Sequence, residues 1–176
     1  TERINREVTA EGMAAGGLGA ADLVNTALAR DINTINSSSI GRLFDAVASM
    51  LDICDNNSYE GRCAIMLEDA AARALMNKAE DRADKLALKF HFMIAEMILE
   101  QCRIIREEEG TDGKVALSGG VFQNRILMDK TLSLLRDNGF KPYYNISVSP
   151  NDGGIALGQT YITTQMIRSE KWPSKK

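Results

Sequence analysis

Val115-Ala-Leu-Ser-Gly-Gly-Val-Phe-Gln-Asn124 decides how this chain is read. A short apolar strand runs into Gly119-Gly120, and a helical pattern through Ile126, Leu127 and Leu134 follows. About 25 residues on, Ser149-Pro-Asn-Asp-Gly-Gly154 repeats the arrangement, a strand ending in a glycine-rich turn that opens a helix. Turns of this kind aim backbone N–H groups and the positive end of a helix at an anion. Two of them on neighbouring parallel strands make a nucleotide site. Asp152 adds a carboxylate able to hold a metal beside the phosphates.

Each element of that site has a plainer alternative. Gly119-Gly120 also suits a tight strand-to-helix turn with no ligand. Asn124, placed one turn into the helix, bonds either a ligand or only its own backbone. Asp152 serves either as a metal ligand or as a helix cap. The glycines Gly153 and Gly154 after Asn151-Asp152 favour close approach of a ligand to the backbone.

Working outward, the strand of residues 114–118, the helix of 121–137, the turn at Asn138-Gly139 and the strand of 141–148 form a right-handed parallel crossover. A last helix runs from near Asp152 to about Ile167. Upstream the pattern is helical. Leu23, Ala27 and Leu28 suggest a short helix ending near Asp31. After a polar stretch from Asn33 to Ser39, with Ser38 or Ser39 as cap, a helix carries Leu43, Phe44, Val47 and Leu51. Asp55-Asn-Asn-Ser58 ends it. A helix from about Tyr59 to Asn77 carries Ala64, Leu67, Ala71 and Leu75 on one face. A third, from about Asp84 to Glu109, carries Leu86, Phe90, Met93, Ile94, Met97, Ile98 and Ile105. The division is a Gly/Ala-rich opening segment (1–22), one lobe (23–168) and a polar tail (169–176).

The chain has 176 residues, 44% of them hydrophobic, enough for one core, and a net charge of -3 with no basic tract. That composition speaks against a nucleic-acid binder. No apolar run reaches the ~18 residues that span a bilayer, and no signal peptide is legible, so a cytoplasmic protein is expected. Cys54, Cys63 and Cys102 lack Cys-x-x-Cys spacing and are expected to be reduced. His91, the sole histidine, sits at the border of the third helix's stripe and reads as a satisfied, partly buried residue rather than a ligand. The eight methionines read as core filler, and Arg106-Glu-Glu-Glu109 as a solvated helix end. The start at Thr1 raises the expectation of a piece of something longer.

Four segments occur in order: Ser37-Ser-Ser-Ile-Gly-Arg-Leu-Phe-Asp-Ala-Val-Ala48, Tyr59-Glu-Gly-Arg-Cys-Ala64, Val115 to Arg125, and Pro150-Asn-Asp-Gly-Gly-Ile-Ala-Leu-Gly158. Together they resemble the carboxy-terminal part of the hydrogenase-maturation carbamoyltransferases, the HypF family. The resemblance runs from about Leu23 to Gln159. That part is similar to the threonylcarbamoyl-transferase domain of tRNA-modification proteins. The resemblance implies an α/β fold, the second lobe of an actin-like (ASKHA) ATPase, with a helix-rich first half and a parallel strand–helix–strand–helix second half.

It also implies chemistry. Family members use carbamoyl phosphate and ATP to make carbamoyl adenylate. They pass the carbamoyl group to the carboxy-terminal cysteine of a partner maturation protein. By resemblance Gly119, Gly120 and Asn124 hold the nucleotide, with Asn151, Gly153 and Gly154 in the second turn. Asp152 is a ligand of a divalent metal (Mg, Fe or Zn). Asp45 faces the ribose, with Glu60 and Gly61 beside it. Complete members also carry an acylphosphatase-like domain, zinc modules, an adenylate-forming domain and a first lobe with paired histidine ligands, none legible here. The lone lobe is therefore expected to be inactive, and its uncovered apolar face to drive self-association or to be covered by the flexible Gly/Ala-rich start folding over it. The rival readings are a carbamoyltransferase acting on tRNA or on small-molecule hydroxyls, and a non-catalytic nucleotide-binding lobe.

Overall fold

A computed structural model of the chain describes residues 20–32, 37–79 and 81–169. Most of the Gly/Ala-rich opening and all but Ser169 of the polar tail lie outside these residues. The chain divides into two compact units, Thr1–Ser38 and Ser39–Lys176. In the first, α1 spans Ala20–Ala29, with Leu23, Val24 and Leu28 exposed.

In the second unit, α2 spans Ile40–Met50. Ser39, one of the two caps expected, accepts from the Arg42 N–H at 3.5 Å. Helix α3 spans Arg62–Leu75 and α4 spans Arg82–Glu109. Asp81 caps α4 by accepting from the Asp84 N–H, and Gly110 ends it in the left-handed region at φ 61°. The three helices bury small and apolar side chains against one another. Phe44, Ala48, Leu67, Ala71, Ala87, Phe90 and Ile94 form the main core with Leu127. The Arg73 guanidinium grips Asp84, which is 2% exposed, through Nε at 3.1 Å and Nη2 at 2.6 Å. A carboxylate so buried is tolerated because it is paired.

The parallel pair follows. Strand β1 (Lys114–Leu117) and β2 (Lys141–Tyr144) run in register from Lys114 opposite Lys141 to Leu117 opposite Tyr144. Helix α5 (Arg125–Asp137) is the crossover between them. Leu99, Leu117, Leu132, Leu135 and Phe140 make a second core under the pair. Helix α6 spans Ile155–Arg168 and buries none of its residues. Ile155, Leu157, Tyr161 and Ile162 are exposed on it. The expected order of elements, helix-rich first and parallel strand–helix–strand–helix second, is the order observed.

Several expectations are corrected. Helix α3 starts at Arg62 rather than Tyr59, because Gly61 at φ 77° turns the chain just before it. Strand β2 stops at Tyr144, and Ile146, expected within it, is 84% exposed. The expected helix of residues 121–137 is two pieces, a 3-10 turn over Gly120–Gln123 and then α5. Met50, Met76, Met93 and Met97 are exposed rather than core filler. Arg106 is not merely solvated: it lies 4.1 Å from the Phe140 ring centroid and donates to the Asn138 carbonyl.

The cysteines are not all reduced. Cys54 and Cys63 form a disulfide, while Cys102 is free. The bend at Asp55–Gly61 brings their Cα atoms within 5.2 Å, a reach the linear sequence does not display. The bond closes a loop with a sequence separation of 9, which confines the unfolded chain. A loop this size is worth about 2–3 kcal/mol. Reduction should lower the urea midpoint of unfolding by the corresponding amount. Equal midpoints with and without dithiothreitol would show that the pair carries no stability.

Candidate functional site

The two glycine turns meet. Gly119 lies at φ 109°, a conformation that glycine adopts freely and other residues resist. Its N–H donates to the Pro150 carbonyl at 2.8 Å, which ties the end of β1 to the start of the second turn. A Cβ added at Gly120 would come within 3.8 Å of the Asn151 Cβ, so the two turns lie side by side with about a methyl's width between them at this point. Between them opens a cleft of about 390 Å³, lined by Ser118, Gly119, Asn151, Asp152, Gly154 and Gly158 among others.

The second turn is built by Asn151. Its Oδ1 accepts from the Gly153 N–H at 2.9 Å and from the Ser149 hydroxyl at 2.7 Å. Asn151, not Asp152, is therefore the cap of the 3-10 turn over Asp152–Gly154. Gly154 packs where no side chain fits, since a Cβ there would lie 2.5 Å from the Ser149 carbonyl oxygen. Its own N–H donates to the Asn151 carbonyl at 3.0 Å. Helix α6 begins directly after Gly154, which offers no side-chain cap. The Ile155 N–H that opens α6 donates to the Asp152 carbonyl, and the helix start, with Ile155 and Gly158 on the cleft wall, turns its positive end to the cleft, where an anion is favoured. Asp152 is exposed at the rim; its carbonyl accepts from the Ile155 N–H, but its carboxylate has no hydrogen-bond or ion-pair partner among the described residues. Its carboxylate is free to take a cation.

Asn124 lies elsewhere than one turn into a helix. It is the N-cap of α5 and buried, with Oδ1 accepting from the Leu127 N–H at 2.9 Å. Its Nδ2 points inward to His91 Nε2 at 2.8 Å. The side chain is committed to the protein at both ends. His91 is wholly buried, and its Nδ1 lies 2.7 Å from the Ala87 carbonyl. Burial pushes the imidazole pKa below its usual value, against the opposing pull of that carbonyl. The histidine is satisfied as expected, but wholly rather than partly buried, because α2 and the Asn124 side chain close over it.

Asp45 sits on α2 beside Phe44, with one carboxylate oxygen shielded and unpartnered. Glu60 is exposed in the bend before Gly61. Neither lines the cleft, and neither do Gly61, Gly120 or Asn124. Of the residues singled out by sequence, the cleft gathers Gly119, Asn151, Asp152 and Gly154, with Gly153 inside the same turn. It also gathers Ser118, Asn145 and Ser149, which sequence reasoning passed over. Their signal was present: Ser118 and Ser149 immediately precede the two turns. The cleft lining offers one carboxylate, Asp152. Among the described residues no group of three His, Cys, Asp or Glu side chains is placed to hold an ion.

The comparisons with known proteins fall on the same segments. The family model described as "Carbamoyltransferase, Kae1-like Domain, second subdomain" matches residues 5–80 and 73–159. This chain belongs to the HypF carbamoyltransferase family. It is 36% identical over 168 residues to Carbamoyltransferase HypF of Rhodobacter capsulatus, across 84% of this chain and 22% of that protein. To the Synechocystis HypF it is 31% identical over 175 residues, across 77% and 22%. A crystal structure of full-length HypF in its phosphate- and nucleotide-bound form superposes with a TM-score of 0.76 at 28% identity, covering 94% of this chain and 25% of that one. A crystal structure of T.kodakarensis HypF superposes with a TM-score of 0.69 at 25% identity, covering 84% of this chain and 22% of that one. The fold is thus the HypF type, a lobe of the actin-like class. The chain spans about a fifth to a quarter of the length of these relatives.

Proposed function

We propose that this chain is the second lobe of the transfer domain in a HypF-type carbamoyltransferase, and that the cleft between its glycine turns receives the phosphate side of a nucleotide. The observation that carries the reading is the Gly119 N–H to Pro150 carbonyl bond, which joins both anion-facing turns into one cleft with Asp152 on its rim. The substrates are carbamoyl phosphate and ATP, and the intermediate is carbamoyl adenylate. The acceptor is the terminal cysteine of a hydrogenase-maturation protein. Neither nucleic acid nor a membrane takes part, and among the described residues no helix is long and apolar enough to cross a bilayer.

The lobe contributes positioning and electrostatics rather than a covalent nucleophile. The Gly120 N–H and the positive end of α6 hold phosphate oxygens, while the Gly119 and Ile155 N–H groups are engaged by the Pro150 and Asp152 carbonyls and fix the walls of the cleft. Gly153 and Gly154 let the ligand approach the backbone. Asp152 supplies one oxygen ligand to a divalent metal, which polarises the carbamoyl group when bound. Asp45, with Glu60 and Gly61, lies on the ribose side. Asn124 acts through the turn it caps. No covalent role falls to the thiols: Cys54 and Cys63 are paired, and burial pushes the Cys102 thiol pKa up, away from the reactive thiolate.

Actin-like sites are shared between two lobes, so this lobe alone offers half of the contacts. The 176-residue chain is expected to show no ATP-dependent carbamoyl transfer, and a Kd for ATP weaker than micromolar. Calorimetry and a turnover assay check both. Turnover by the lone chain would sink the reading. So would an ATP affinity left unchanged by Gly119→Val in the longer enzyme that carries this lobe.

A further inference from the structure

We propose that His91 is a positioning residue of the transfer site: held as the neutral Nδ1–H tautomer, it locks Asn124 and through it the Gly119–Gly120 turn. The proposal rests on the nucleotide reading given above. It adds a residue that lies on no glycine turn and lines no part of the cleft.

The hydrogen-bond chain has one consistent direction. At one end stands the Leu127 N–H, which only donates, so the atom of Asn124 facing it at 2.9 Å is the carbonyl oxygen. The Asn124 amide nitrogen then faces His91 and donates to Nε2 at 2.8 Å. At the other end stands the Ala87 carbonyl, which only accepts, so the Nδ1 atom 2.7 Å away carries the proton. Both ends are backbone groups of helices, so neither can reverse. A protonated imidazole would put an N–H against the Asn124 amide. Turning that amide over would set its NH2 against the Leu127 N–H. Only the neutral ring satisfies all three bonds, and burial keeps it neutral.

The ring also ties together segments that are far apart in sequence. Phe44 on α2 meets its edge with centroids 5.1 Å apart, and Phe90 lies 4.9 Å from Phe44. Phe44 is the neighbour of Asp45. The Asn124 N–H donates to Val121, and Phe122 to Gly119, so a shift of Asn124 is passed to Gly119 through two short links. His91 thus sets the turn that carries Gly119 and packs against the residue before Asp45. No apolar residue in its place can accept from Asn124.

The test uses the longer carbamoyltransferase carrying this lobe. His91→Leu should raise the KM for ATP at least tenfold, while kcat falls by a smaller factor. His91→Gln offers one donor and one acceptor and should bring KM back to within threefold of the wild type. In ¹⁵N NMR of the 176-residue chain at pH 7 and above, His91 should appear as the Nδ1–H tautomer. An unchanged KM in a folded His91→Leu variant, failure of a folded His91→Gln variant to rescue, or an Nε2–H tautomer would each overturn the proposal. Should His91→Leu fail to fold, Asn124→Ser takes its place. Serine still caps Leu127 but does not reach His91, so the same rise in KM is expected, and an unchanged KM overturns the role. Gly119→Val separates the two ideas. If it leaves KM untouched, the nucleotide reading falls and this proposal with it. If Gly119 is sensitive and His91 is not, only the positioning role is lost.

Discussion

Asp152→Ala, made in the longer enzyme that carries this lobe, should cost carbamoyl transfer on the order of 10²–10⁴-fold and leave stability almost unchanged. Losing a hard-oxygen ligand beside developing phosphate charge removes several kcal/mol of transition-state stabilisation, and about 1.4 kcal/mol is a factor of ten. Stability should hold because the Asp152 side chain is exposed and has no protein partner among the described residues, and the carbonyl that receives the Ile155 N–H is kept in the variant. Surface changes of that kind stay within about 0.5 kcal/mol. The capping function rests with Asn151, whose Oδ1 accepts from Gly153 and Ser149. Asn151→Ala is therefore the control with the opposite signature, about 1 kcal/mol of stability lost with the Asp152 carboxylate still present. Asp152→Asn refines the comparison, since it keeps the shape and weakens only the ligand. Melting temperature and transfer rate, measured side by side, check all three variants. Transfer by Asp152→Ala within a few-fold of wild type would reduce Asp152 to a bystander.

This separation of cap from carboxylate was not legible in the sequence. Asn151 and Asp152 are adjacent and both are good caps, so residue type alone does not choose between them. The choice depends on backbone geometry: Asn151 is extended at φ -88° and ψ -168°, which turns its side chain over the Gly153 N–H. The large features were legible. Apolar residues at helical spacing place α2, α3 and α4, and the crossover follows from strand, helix, strand. Periodicity, however, reports which face is apolar and not whether anything covers it. Met93 and Met97 fall on the stripe of α4 and are exposed, while Ala87 and Ala95, with little hydrophobic signal, are fully buried. Contacts between distant residues were equally hidden. His91 and Asn124 are 33 residues apart, and nothing in either segment announces the bond between them. The Cys54–Cys63 pair depends on a bend set at Gly61, where the chain takes φ 77°.

Gly154→Ala should damage the site more than any other single methyl added to the glycine turns. The new Cβ would stand 2.5 Å from the Ser149 carbonyl oxygen and 3.2 Å from Val148 Cγ1. The first neighbour is backbone and cannot rotate away, so the turn itself must open. Overpacking of this kind costs about 1–3 kcal/mol. The displaced segment includes Asn151, whose carbonyl receives the Gly154 N–H, and with it the Pro150 carbonyl that holds Gly119. Both walls of the cleft should therefore move, and transfer should fall together with stability. Gly119→Ala gives the contrast. Nothing lies within 4 Å of its added Cβ, so the cost there comes from the backbone at φ 109° and not from a clash. Gly158→Ala is the neutral case: it lines the cleft, meets nothing within 4 Å and sits inside α6. Alanine favours a helix over glycine by about 1 kcal/mol, so that variant should be slightly more stable. The expected order of melting temperatures is Gly158→Ala above wild type, and Gly154→Ala below it. A Gly154→Ala protein with wild-type stability and wild-type ATP affinity would mean that the packing of the second turn does not shape the cleft.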